Sequence, residues 1–152
     1  MHARWATALS CLLGGVLLQA VISGAQPVTK IAAGGIHSLF LKSDSSLWGM
    51  GANQVGQLGK LPYDLNYNVK LPGQILASNV VAIAAGYEHS LFLENDGSLW
   101  AMGWNQYGQL GDGTSNTTNQ PEQIIASNVV AIAAGSGFQA GHSLFLKNDG
   151  SL

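Results

Sequence analysis

Residues 80–113 read VVAIAAGYEHSLFLENDGSLWAMGWNQYGQLGDG and contain the clearest structural pattern of the chain. Within it, Val80–Ala85 is an apolar run of strand length, bounded by Asn79 and Gly86. His89–Glu94 places apolar side chains on both faces of an extended chain, which is typical of a strand covered on each side. The two segments therefore predict neighbouring, buried strands.

A turn and two further strands complete this unit. Asn95-Asp96-Gly97 predicts a tight hairpin, because glycine readily adopts the positive φ that such turns need. Ser98–Met102 is the predicted return strand, and a fourth short strand, Glu122–Ile125, is predicted after Pro121. Helical periodicity is absent outside the N-terminal region, so the predicted class is all-β.

The same unit returns along the chain. Val28–Gly59 and Val80–Gly111 are identical at 22 of 32 aligned positions, and Ile75–Gly86 differs from Ile124–Gly135 at a single position. We therefore divide the chain into a first repeat at residues 26–79, a second at residues 80–128 and a truncated third at residues 129–152.

Four short antiparallel strands in about fifty residues predict the blade of a β-propeller. The sequence thus predicts four-stranded antiparallel blades in an incomplete ring of about two and a half blades. Because Leu152 falls halfway through a hairpin, we expect an N-terminal fragment of a longer protein. Each blade has two apolar faces, so we expect the isolated chain to be marginally stable or to self-associate through the open faces of its terminal blades.

Residues 1–25 resemble a secretory signal peptide. Arg4 precedes a short apolar segment centred on residues 6–18, and the small residues Ser23-Gly24-Ala25 fit a cleavage site. An uncleaved membrane anchor and an ordinary core helix are the alternatives. Cys11 lies inside the apolar segment rather than at its end, so a lipid attachment site is rejected. We expect a secreted protein, extracellular or periplasmic, with no membrane contact after cleavage.

The composition narrows the classes of partner. Charged residues make up 9% of the chain, and six Lys and Arg against eight Asp and Glu leave a net charge of -2. No basic patch is available for a nucleic-acid partner. The single cysteine excludes an internal disulfide.

The second repeat, from Ala84 to Gly111, carries three linked motifs: AAGxxHSLFL, DGSLW and GxNxxGQLG. Together they resemble the regulator of chromosome condensation repeat, and the resemblance extends from Val28 to the end of the chain. The first repeat departs from the pattern at Asp44-Ser45, and the third has extra residues within Ser136–Gly141. The resemblance implies a seven-bladed β-propeller.

This resemblance implies that one face of the ring binds another protein. The founding activity of the family is guanine-nucleotide exchange on a nuclear GTPase, together with chromatin binding. A secretory signal and an acidic chain argue against carrying that activity over. Other relatives are secreted bacterial proteins, among them inhibitors of β-lactamases that use loop aromatics.

Several recurring residues invite a chemical interpretation. His37, His89 and His142 occupy one position per repeat, where they either line a metal site or bond to a neighbouring strand, and we favour the second. Gly103-x-Asn105-x-x-Gly108 superficially resembles a dinucleotide-binding loop, but no helix follows it, so a turn built on the asparagine is favoured. We predict no catalytic residues, no metal and no cofactor, and therefore no enzyme.

Functional residues are expected where the repeats differ, because shared residues serve the shared fold. The partner-binding candidates are Tyr87, Trp104, Tyr107 and Phe138. For Trp104 and Tyr107 the competing interpretation is that they pack over the adjacent blade. Trp48 and Trp100, which recur at one position, are predicted to be core residues.

The favoured function is a secreted scaffold that binds an unknown protein through its loops. Two alternatives stay open: a regulator of an enzyme, either exchange-factor-like or hydrolase-inhibitor-like, and a module for carbohydrate binding or cell-surface adhesion. Asn116-Thr117-Thr118 is a glycosylation sequon if a eukaryote secretes the chain.

Overall fold

The computed structural model of the chain describes residues 25–62, 66–137 and 141–152. The proposed signal peptide therefore lies outside the described residues except for Ala25, and so does Phe138. The described part contains ten strands and no helix, and hence no helix that could cross a membrane. The strands are β1 (Val28–Ala33), β2 (His37–Lys42), β3 (Leu47–Ala52), β4 (Asn68–Leu76), β5 (Val80–Ala85), β6 (His89–Glu94), β7 (Leu99–Gly103), β8 (Thr118–Ile125), β9 (Val129–Ala134) and β10 (Ser143–Lys147).

The strands form three antiparallel sheets, each built from one sequence repeat. Blade 1 has the order β1-β2-β3-β4, blade 2 has the order β5-β6-β7-β8, and blade 3 is the pair β9-β10. Each strand pairs with the next one along the chain, as in a meander. The all-β prediction and the prediction of four-stranded blades are confirmed.

The predicted hairpin turn joins β6 to β7. Gly97 has a φ of 81°, and its N–H donates to the Glu94 carbonyl at 3.0 Å. An Asp96 carboxylate oxygen accepts the Ser98 N–H at 2.9 Å and closes the turn from the side. In blade 1 the same turn has Ser45 at a φ of 63°, a conformation that costs more for serine than for glycine.

The fourth strand corrects the sequence prediction. β8 begins at Thr118 rather than Glu122 and contains Pro121, which the sequence pattern places before the strand. Proline is tolerated here because β8 is the edge of its sheet and because the register with β7 shifts between Ala101 and Gly103, so Pro121 needs no ladder hydrogen bond.

The core lies in the two seams between the blades. In the first seam, leucines of blade 1 such as Leu39 and Leu41 pack against Val80 and Phe92 of blade 2. In the second seam, Leu91 and other apolar residues of blade 2 pack against blade 3. β6 is buried along almost its whole length because it contributes to both seams, as its two apolar faces predicted.

The two recurring tryptophans are half-buried rather than core residues, which corrects the prediction made for them. Each indole N–H donates to a serine two residues earlier, Trp48 to Ser46 at 2.8 Å and Trp100 to Ser98 at 2.9 Å. A tryptophan that keeps its polar edge at a turn cannot be fully enclosed by apolar side chains. Trp100 still packs against the first seam.

Candidate functional site

The recurring histidines join one blade to the next. The His37 Nε2 atom lies 2.9 Å from the Ser90 hydroxyl of blade 2. That hydroxyl donates to the backbone carbonyl of Gln57 in blade 1 at 2.6 Å. Since the serine has one proton and gives it to the carbonyl, its oxygen accepts from the histidine. The hydrogen bond thus places a proton on His37 Nε2, and because burial lowers the pKa of His37 to about 4, the ring is neutral at neutral pH. We call this arrangement the latch.

The second seam contains the same latch. His89 Nε2 lies 3.1 Å from the Ser143 hydroxyl, which donates to the backbone carbonyl of Gln109 at 2.6 Å. Burial, and secondarily the next histidine, lowers the pKa of both His37 and His89 to about 4. This is the bond to a neighbouring strand that the structural interpretation predicted.

The geometry offers no support for the metal interpretation. His37 and His89 each form a hydrogen bond across a different seam, and His142 is exposed on the open face of blade 3. Among the residues that the structure describes, no group of three or more His, Cys, Asp or Glu is placed to hold a metal ion.

The asparagine loops are turns, as predicted, and side-chain hydrogen bonds hold them. In blade 2, Asn105 accepts the Leu110 N–H at 2.9 Å and donates to an Asp112 carboxylate oxygen at 2.9 Å. Asn105 is fully buried. In blade 1, Asn53 accepts the Leu58 N–H at 2.9 Å in the same way. The amide groups of both asparagines therefore bond within their own loops and shape them.

The loop of blade 2 presents two of the predicted binding residues. Trp104 is half-buried and Tyr107 is 66% exposed. Their ring centroids are 5.2 Å apart at an interplanar angle of 77°, an edge-to-face pair. The Tyr107 N–H donates to the Gln109 side chain at 3.0 Å, which fixes the backbone beneath the ring. The pair is thus an exposed aromatic feature on an ordered loop.

Tyr87 lies at the same end of blade 2. Its half-buried ring rests on Gly35 of blade 1, where a Cβ atom would approach a ring carbon to 2.3 Å. The backbone N–H of Trp104 donates to the backbone carbonyl of Glu88 at 2.9 Å and joins the two loops. We call Tyr87, Glu88, Trp104 and Tyr107 the blade 2 rim.

Two features of this end were not among the sequence candidates. Glu88 supplies the rim with a carboxyl group whose pKa is raised by partial burial. A polar cleft of about 550 Å³ lies between Asn53–Leu61 of blade 1 and Thr117–Asn119 of blade 2. The sequence did indicate Glu88, because this residue stands where the first repeat has Ile36. The cleft could not be predicted in this way, because it depends on how two blades pack.

Sheets of this order, packed face to face through repeated seams, define the class as blades of a β-propeller. The description "Regulator of chromosome condensation (RCC1) repeat" belongs to two family models, one matching residues 28–57 and 80–109 and the other residues 44–93 and 96–141. The chain belongs to the family of RCC1-repeat proteins, which confirms the resemblance.

Relatives in this family are much longer than the chain. "Protein RCC2" of mouse is 38% identical over 104 residues, which are 66% of this chain and 18% of that protein. The human "RCC1-like G exchanging factor-like protein" is 34% identical over 97 residues, covering 60% and 21%. The human "Probable E3 ubiquitin-protein ligase HERC4" is 34% identical over 94 residues, covering 61% and 9%.

Solved structures agree on the fold. Human WBSCR16 superimposes with a TM-score of 0.66 at 28% identity, covering 80% of this chain and 32% of that one. Yeast RCC1 (Prp20), solved bound to Kap60, gives a TM-score of 0.69 at 24% identity, covering 84% and 32%. The chain thus spans about a third of each of these structures.

Proposed function

We propose that the chain is a secreted, non-catalytic scaffold whose protein partner docks on the blade 2 rim. The observation that carries the proposal is the Trp104–Tyr107 pair, with Tyr107 66% exposed and held edge-to-face against Trp104. Exposed tryptophan and tyrosine side chains dominate the energetics of many protein interfaces.

The hydrogen bonds within the loop support this role. Binding is stronger when few side chains and loops must be ordered on association. Asn105 already orders the loop through its bonds to Leu110 and Asp112, and Gln109 holds the backbone of Tyr107. A partner would therefore meet an aromatic surface that is already in place.

The relatives support protein binding as the general role. Yeast RCC1 was solved with Kap60 bound, and a further structure of that protein is described together with its binding properties to Gsp1p and histones. A relative described as G exchanging factor-like favours regulation of an enzyme as the second candidate. The match to HERC4 covers 9% of that ligase and gives no reason to assign ligase chemistry here.

Secretion is part of the proposal and has its own test. The apolar segment before Ser23-Gly24-Ala25 supports export and cleavage after Ala25. N-terminal sequencing of the exported protein is expected to begin at Gln26. A mature protein that begins at Met1 or remains in the cell would contradict this part alone.

The rim is tested by substitution of its two aromatic residues. Proximity labelling in the compartment where the protein accumulates supplies candidate partners, and each candidate is then purified and titrated directly. Trp104→Ala and Tyr107→Ala are each expected to weaken binding by about 30-fold, the loss typical of an interface hot spot of about 2 kcal/mol.

The matched control is Val55→Ala, since Val55 is the blade 1 counterpart of Tyr107. It is expected to leave the affinity unchanged. Equal affinities for all three variants would refute the rim as the docking site. Nucleotide release from GTPases, inhibition of periplasmic hydrolases and binding to a glycan array distinguish the scaffold from the regulator and adhesion alternatives.

A further inference from the structure

We propose that the mouth of the first seam binds a short, extended peptide segment of a partner protein, in which an apolar side chain stands beside a carboxylate. The polar cleft of about 550 Å³ is joined there by a largely apolar hollow of about 250 Å³. Gly59, Lys60, Leu61 and Asn119 line both spaces, and we call the two spaces together the seam groove. This inference does not rest on the blade 2 rim.

The seam groove lies between two complete blades. One wall is formed by the asparagine loop and the end of β4 in blade 1, and the other by residues 117–121 of blade 2. Both blades have all four strands. A Cβ atom on Gly56 of the loop would approach the Asn119 Cα atom to 2.4 Å, so the two walls are in contact. The groove is therefore shaped by the packing of one blade on the next, unlike the open faces of blades 1 and 3.

The polar part of the groove offers partners for a peptide backbone. Gln54 and Asn119 are exposed, and their carboxamides make no hydrogen bond to any residue that the structure describes. A carboxamide presents both a donor and an acceptor, as a peptide unit does. The Thr117 hydroxyl accepts the backbone N–H of Asn105 at 3.2 Å and keeps its own proton to donate. An extended segment can therefore exchange main-chain hydrogen bonds with these side chains.

The apolar part of the groove has room for one aliphatic side chain. Leu61, Ile75 and Leu76 are half-buried against the first seam and line this hollow together with Pro121. An aliphatic side chain of the partner would leave water here and extend the apolar packing of the seam. No aromatic residue among those described lines either part of the groove, so a sugar ring would find no aromatic platform there.

Lys60 supplies a positive charge where the two parts meet. It is exposed and bonds to no described residue, and no acidic residue in the described part of the chain lines the groove. Its counterpart in blade 2 is Asp112, whose carboxylate accepts from Asn105 at 2.9 Å and from the Thr114 hydroxyl at 2.6 Å within its own loop. Lysine at this position reverses the charge and leaves the side chain available. A carboxylate of the bound peptide would therefore pair with Lys60.

The test begins with a library of random linear peptides, displayed on phage and selected on the immobilised chain. The selected peptides are expected to share an aliphatic residue beside Asp or Glu. Synthetic copies are then titrated with the chain, and binding is followed by fluorescence polarisation. A selection that enriches no peptide with this pattern would overturn the proposal.

A double-mutant cycle tests the charged contact. Lys60→Gln is expected to weaken binding by about 2- to 5-fold, the range of an exposed ion pair, and replacement of the acidic peptide residue by its amide is expected to do the same. Both changes together should cost no more than either one, because they remove the same contact. Lys147→Gln removes the same charge from blade 3, outside the groove, and is expected to leave the affinity unchanged. Additive losses would refute the pairing with Lys60.

A bulky substitution tests the apolar hollow. Gln120 is exposed and lines the hollow, so Gln120→Trp is expected to exclude the aliphatic side chain and to weaken binding by at least about 10-fold. The control is Gln123→Trp, at an exposed position of the same strand outside the groove, which should bind like the wild-type chain. Far-ultraviolet circular dichroism checks that each variant keeps its fold.

The rim variant Tyr107→Ala separates this site from the proposed function. Peptides of the groove are expected to bind Tyr107→Ala with unchanged affinity. Peptides that tolerate Gln120→Trp but lose affinity for Tyr107→Ala would overturn the groove and support the rim. A partner that still binds after Tyr107→Ala and Trp104→Ala, but not after Gln120→Trp, would support the groove and refute the rim.

Discussion

Replacing Ser90 by alanine removes the centre of the first latch. The Ser90 hydroxyl accepts from His37 and donates to the Gln57 carbonyl, and Ser90 and Gln57 are fully buried while His37 is 4% exposed. Alanine fits the same space, so the packing of the seam changes little. The substitution instead leaves one donor and one acceptor without a partner in a place that water does not reach.

The magnitude follows from those two groups. A buried polar group that loses its partner costs about 1–3 kcal/mol, so Ser90→Ala is expected to lower the free energy of unfolding by about 3 kcal/mol. Urea denaturation, followed by far-ultraviolet circular dichroism at low protein concentration, measures the loss directly.

The matched control is Ser38→Ala. Ser38 has the same position in blade 1, but it lines an open apolar hollow and forms no latch with any residue that the structure describes. Its substitution is expected to change the free energy of unfolding by no more than about 0.5 kcal/mol. If Ser90→Ala and Ser38→Ala cost the same, the latch does not stabilise the seam and the reasoning is wrong.

Three further predictions concern protonation and backbone conformation. The pKa of His37 and of His89 is lowered to about 4, so the unfolded chain takes up protons before the folded chain as the pH falls. Urea titrations are expected to show a constant free energy of unfolding above about pH 6.5 and a loss of roughly 3 kcal/mol per histidine between pH 6.5 and 4. A flat profile over that range would contradict the neutral latch. Gly103→Ala is expected to lower the melting temperature far more than Gly113→Ala. Both glycines have a positive φ, but only a Cβ atom at position 103 would meet backbone atoms, the nearest at 2.5 Å. Equal decreases in melting temperature would show that this close approach is unimportant. Ser45→Gly is expected to stabilise the protein by up to about 1 kcal/mol in urea titrations, since it relieves a φ of 63°, and a destabilised variant would argue against strain at that turn.

Strand positions were largely predictable because the relevant physics is local. Val80–Ala85 and His89–Glu94 were predicted with the bounds that β5 and β6 have. Alternation of side chains about an extended backbone and the φ preference of Gly97 act within a few residues. The start of β8 was missed because tolerance of Pro121 depends on the strand being an edge, which only the sheet order reveals.

The candidate site was predictable only as a set of residue types. Differences between the repeats singled out Trp104 and Tyr107, and the structure places them in contact on an exposed loop. The same comparison did not show that Tyr87 would rest on Gly35 of the neighbouring blade. Whether these residues bind a partner stays a prediction.

Repeated four-stranded units could be read from the amino-acid sequence, because strand periodicity, turn glycines and internal identity are all properties of short segments. Which of the repeated groups contact one another depends on how the blades pack. His37 bonds to a serine 53 residues away, and identical leucines are buried in blade 2 but exposed in blade 3. Burial and hydrogen bonding across a seam require a neighbouring blade on that face, and equivalent faces of the three repeats differ in whether they have one.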